Sequence, residues 1–98
     1  MSRRLLETIR DAVIRGDYDL TRHAVDEMAE DNLDILDVES AILNGEIAKT
    51  EMDDPRGSRY TIIGLAQNER TEVGVVGRLT ETSIYLVITV YEVTEQEN

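Results

Sequence analysis

DNLDILDVESAILNGEIAKTEM, residues 31–52, changes its period halfway along. Up to Asn44 the apolar residues Ile35, Val38, Ala41 and Ile42 recur every three or four positions, which makes one stripe of an α-helix. Asp34, with Asp37 three residues later, approximates a capping box at its start, and Asn44-Gly45 supplies a stop. From Gly45 the period falls to two, the alternation of a strand, and Glu46–Met52 reads as one.

The same reading extends outward in both directions. Toward the N-terminus, Leu5, Leu6, Ile9, Ala12 and Val13 predict a first helix over 1–16, with Ser2 able to cap it and Gly16 to end it. Tyr18–Leu20 is extended in character, and Thr21 is placed to N-cap a second helix carrying Ala24, Val25, Met28 and Ala29 on one side. Toward the C-terminus, the loop DDPRGS is followed by three more strand patterns, Tyr60–Leu65, Glu72–Leu79 and Ile84–Val93. The connections AQNER and TETS are short enough for hairpins, so an antiparallel meander is expected. The fold class is therefore α+β: three helices on one face of a four-stranded antiparallel sheet, in a single domain over 1–98 with a disordered tail at 94–98.

In the last strand Ile84, Leu86, Ile88 and Val90 alternate with Tyr85, Val87, Thr89 and Tyr91, so neither side is plainly polar and the strand is expected to be central. Strict alternation assigns the second set to the face without helices. Tyr85, Val87, Thr89 and Tyr91 are thus the expected partner-binding surface, with a homodimer as the economical occupant.

Composition narrows the function. No apolar run approaches the roughly 20 residues that span a bilayer, and the N-terminal MSRRLLETIRDAVIRG is broken by charges, unlike a secretion signal. A cytoplasmic location is the expectation. The chain has no cysteine, which removes disulfides, thiolate metal sites and cysteine nucleophiles. Its net charge of −11 is unevenly spread: +2 over residues 1–16, −11 over 17–54 and −2 over 55–98. Phosphate would be repelled from the middle segment, which disfavours nucleic acid there and suits a basic protein partner or plain solubility.

The order Tyr18-x-Leu20-Thr21-x-His23-Ala24-x-x-x-Met28, the helix ending at Asn44-Gly45-Glu46-Ile47, and the terminal Ile88-Thr89-Val90-Tyr91-Glu92 resemble domain-of-unknown-function family 4258 over about residues 18–93. The resemblance implies small bacterial proteins related to the RelE and BrnT toxins, ribonucleases of toxin–antitoxin pairs, with helices packed on one face of an antiparallel sheet. It also implies a phosphate-handling site. The family pattern H-A-x-x-R-M-x-x-R is met here by Glu27 and Asp31 in place of its two arginines. Arg22, His23, Arg59, Arg78 and Tyr91 are the residues left to form a catalytic site of that kind.

His23, the chain's single histidine, has a plainer reading: in the first turn of a helix it can bond a carboxylate or carbonyl while its ring covers apolar neighbours. With Asp17 or Asp19 it makes no recognised metal site, and Asp53-Asp54 reads as turn chemistry rather than a calcium loop, so no metal or cofactor is expected. Arg22 is expected to pair with Asp19 or Asp26. Two functions follow: a non-catalytic interaction module that pairs with itself or a basic partner, and, as the alternative, an RNA-cleaving toxin using the five residues above.

Overall fold

The computed structural model describes residues 2–52 and 55–94, and the side chains among them from residue 4 onward. The side chain of Ser2, expected to cap the first helix, the turn at Asp53-Asp54 and most of the expected tail lie outside what is described. Helix α1 spans Ser2–Arg15 and buries Leu6, Ile9, Ala12 and Val13 at helical spacing. It ends where Gly16 takes φ +81° and Asp17 N–H reaches back to the Ala12 carbonyl, at 2.8 Å.

Strand β1 is Tyr18–Leu20, followed by α2 over Arg22–Glu30 and α3 over Ile35–Asn44. Thr21 caps α2 by accepting Ala24 N–H at 3.1 Å, and Asn32, at φ +58°, turns the chain out of it while Leu33 N–H bonds the Met28 carbonyl. Only Ala24 and Met28 of α2 are buried, and Val25, expected on the core side, is 47% exposed. The Asp34–Asp37 box forms in full at the start of α3, whose Val38, Ala41 and Ile42 enter the core.

The remaining strands are β2 (Glu46–Glu51), β3 (Arg59–Leu65), β4 (Glu72–Leu79) and β5 (Tyr85–Glu92). They form the expected antiparallel meander. The sheet, however, is five-stranded and mixed, in the order β1-β5-β4-β3-β2. The four-stranded antiparallel expectation is corrected by β1, which lies parallel to β5 with Tyr18 opposite Tyr85 and Leu20 opposite Val87. Three residues carry too little pattern to announce a strand, and their partner stands at the far end of the chain.

The expected faces of β5 are corrected as well. Val76 pairs with Thr89, but the next residue, Gly77, pairs with Val87, so Ile88 is an extra residue in the ladder. Such a bulge inverts the alternation beyond it. Tyr85, Val87 and Val90 consequently all turn to the helices and are fully buried, while Leu86, Thr89 and Tyr91 face away. Tyr85 and Val87 are therefore core residues, not part of an open surface.

The core between sheet and helices joins Ile9, Val38 and Ile42 to Ile62, Val73, Val75, Val87 and Val90. Glycine permits two of its closest contacts. A Cβ on Gly77 would meet the Tyr85 ring at 2.6 Å, and one on Gly64 would meet the Ala41 carbonyl oxygen at 2.1 Å. Arg10 of α1 closes α3 from outside, donating Nε to the Ile42 carbonyl (3.1 Å) and a terminal nitrogen to that of Gly45 (2.6 Å). The Asn44 amide acts as a substitute strand for the end of β3, taking Leu65 N–H at 2.8 Å and donating to the Leu65 carbonyl at 2.9 Å.

The Tyr85 hydroxyl is buried with no hydrogen-bond partner among the described residues. Burial, and then repulsion from Tyr60, push its pKa well above the usual tyrosine value. Because an unsatisfied buried hydroxyl costs free energy, Tyr85→Phe is expected to keep or raise the thermal unfolding midpoint. A fall of several degrees in calorimetry would refute the assignment.

Candidate functional site

The short length of β1 leaves half of one β5 edge without a strand. The α2 side supplies the missing partners. Thr21 N–H bonds the Val87 carbonyl at 3.0 Å and Thr21 Oγ1 donates to that of Ile88 at 3.0 Å. Glu27 Oε1 then accepts Val90 N–H at 3.0 Å, and Asp31 Oδ2 accepts Glu92 N–H at 2.9 Å. The alternate N–H groups of an edge point the same way, and residues four apart on a helix keep pace with them. Both positions require an acceptor. Arginine has only donors, so Glu27 and Asp31 serve here as edge caps in a way that arginine could not. In the sequence alone only their negative charge is evident, and the i, i+4, i+8 spacing of His23, Glu27 and Asp31 is the signal that could have marked the edge.

His23 stands at the head of that stripe. Its Nε2 lies 3.2 Å from Glu27 Oε2, so a carboxylate partner is present as expected, but the side chain is 65% exposed and covers no core. Arg22 is exposed and meets Asp26 at 3.7 Å. Removing Glu27 strands a backbone donor; removing His23 breaks one exposed pair. Glu27→Ala is accordingly expected to cost about 1–3 kcal/mol and His23→Ala about 1 kcal/mol or less, read as urea unfolding midpoints. Equal losses would contradict the edge-cap role.

The other expected site residues emerge on the face of the sheet opposite the helices. Arg78, paired with Leu86, is buried to 9% exposure, and Arg59 stands at the next register position on β3, with its guanidinium 3.1 Å from Glu51. Tyr91 shares the face but pairs with Gly74, over which its ring lies. Four steps along β4, from Gly74 to Arg78, separate the two, about 13 Å of strand. The five residues thus divide into an α2 pair at the sheet edge and an Arg59–Arg78–Tyr91 set on the open face.

That face is half-apolar. Ile63, Leu65, Val76, Leu86, Thr89 and Tyr91 are each half-buried, with no described helix over them. Its charged positions by register are Asp19, Glu46, Glu51 and Glu72 against Lys49, Arg59 and Arg78. Among the described residues these four acids and three bases make it nearly neutral in a chain of net charge −11.

At the end of the sheet, Asp31, Leu33, Asp37, Gln67 and Glu92 line a depression of about 440 Å³. Asp37 is anchored there: burial alone would raise its pKa, but hydrogen bonds from Asp34 and Gln67 outweigh this and lower it below the ordinary 3.8. A depressed carboxyl pKa stabilises the fold above its unfolded value and loses that contribution as pH falls through the folded one. Asp37→Asn should therefore flatten the loss of stability below about pH 3.8, measured by unfolding midpoints from pH 5 to 2. A parallel acid limb in variant and wild type would contradict it. Tyr18, bonded to Glu39, has its pKa pushed up to about 12 by burial and by that carboxylate. Among the described residues no group of three or more His, Cys, Asp or Glu is placed to hold a metal, and no helix is long and apolar enough to cross a membrane.

Fold and site together define a small α+β protein with a five-stranded mixed sheet, one face under three helices and the other with no described helix over it. Residues 20–92 match the family model described as Domain of unknown function (DUF4258), and the chain belongs to that family. No curated protein and no solved structure matches the chain.

Proposed function

We propose that the chain is a non-catalytic protein-interaction module on a scaffold of the RelE kind, acting in the cytoplasm through the helix-free face of its sheet. The observation that carries this reading is the engagement of the expected catalytic cations: Arg22 with Asp26, His23 with Glu27 and Arg59 with Glu51. A phosphate would have to compete with a carboxylate at each, and two of the three stand apart from the third. The surrounding negative charge opposes RNA before any contact is made.

The alternative, an RNA endonuclease toxin, draws on one observation: Arg59, Arg78 and Tyr91 share the open face. Purified protein incubated with a long RNA at low salt separates the two. Intact RNA is expected; cleavage that disappears in Arg59→Ala while the protein remains folded would make the enzyme the correct reading.

A further inference from the structure

Resting on the module reading, we infer that the occupant of the open sheet face is a second copy of this chain, seated face to face. Charge makes the first argument. Among the described residues nearly all of the excess negative charge lies off this face, so it is where two copies can meet with least repulsion.

The pattern within the face makes the second. Along the strands one end carries Arg59 and Arg78 flanked by Glu51 and Asp19, with Lys49 one row inward, while the other end carries Glu72, with Glu46 one row inward and no base in either row. A two-fold axis lying in the interface and running across the strands exchanges the ends. It sets Lys49 over the partner's Glu46, and Arg59 over the end of the partner's sheet where Leu65 and Glu72 stand. Each contact then occurs twice, as an isologous dimer requires. Val76 and Ile63 lie in the rows beside the axis and supply its apolar centre.

Size sets the strength. Strands about 4.8 Å apart and some seven residues long give a face of roughly 500 Å² per protomer, so about 1,000 Å² in all, at the low end of specific interfaces. The dimer is a weak, concentration-dependent one.

Sedimentation over a dilution series tests it. The wild type should move from 11.1 kDa toward twice that mass. Lys49→Glu should weaken association by about ten-fold or more through like charges over Glu46, and Lys49→Glu with Glu46→Lys should restore it to within about three-fold of wild type by the same pairing reversed. Circular dichroism verifies that the exposed variants stay folded. A wild type that remains monomeric at several hundred micromolar, or a dimer indifferent to Lys49→Glu, overturns the inference. A photo-crosslinking residue at Val76 in cells separates this failure from that of the module reading. A doubled-mass adduct supports the second copy, an adduct to a different protein overturns the second copy and leaves the module standing, and no adduct overturns both.

Discussion

Alanine at position 64 is expected to cost about 3 kcal/mol or more, at the upper end of what overpacking does, and to leave the chain partly unfolded at ambient temperature. The added Cβ would lie 2.1 Å from the Ala41 carbonyl oxygen and 2.8 Å from its carbon, both backbone atoms of α3. No rotamer change relieves such contacts. The helix must lift off β3, opening the contact between Ala41 and the sheet and pulling Asn44 and Ser40 from the Leu65 backbone they hold. Gly16→Ala is the control. Its Cβ would meet nothing within 4 Å, and only its φ of +81° is strained, so a loss of about 1–2 kcal/mol is expected, the cost of a left-handed non-glycine residue. Urea unfolding of both variants gives the comparison, and a Gly64→Ala midpoint at or above that of Gly16→Ala would show that α3 does not approach the sheet this closely.

Truncating Ile42 is the other large effect. Its side chain is 1% exposed between α3 and the sheet, so Ile42→Ala should cost about 2–5 kcal/mol, the transfer term plus the cavity. Ile88 looks equivalent in sequence and is not. It occupies the β5 bulge, half-buried and outside the core, and Ile88→Ala should cost about 1 kcal/mol, as partly exposed sites do. Thermal unfolding of the pair decides it: similar losses would mean that the bulge is misplaced and that β5 alternates without interruption.

These two residues mark the division between what could be read and what could not. Local rules act within a few residues, and wherever only they were needed the sequence by itself determined the outcome. Thr21 and the Asp34–Asp37 box start their helices, Gly16 ends one, and the change of period at Gly45 turns helix into meander. Ile88 and Gly64 depend instead on what stands across from them. The bulge is a mismatch of two strands, visible only once Gly77 is paired with Val87, and it moves Tyr85 and Val87 from the expected binding face into the core. β1 becomes a strand because β5 lies beside it. Glu27 and Asp31, which in sequence are merely two more acids in an acidic segment, become backbone acceptors because β1 stops short and leaves the N–H groups of Val90 and Glu92 open. Helices, turns and the strand count of the meander were legible because their causes are local, whereas the fifth strand, the buried face of β5 and the role of the α2 acids were decided by tertiary structure, because an unpaired edge and an extra residue exist only relative to the neighbouring strand.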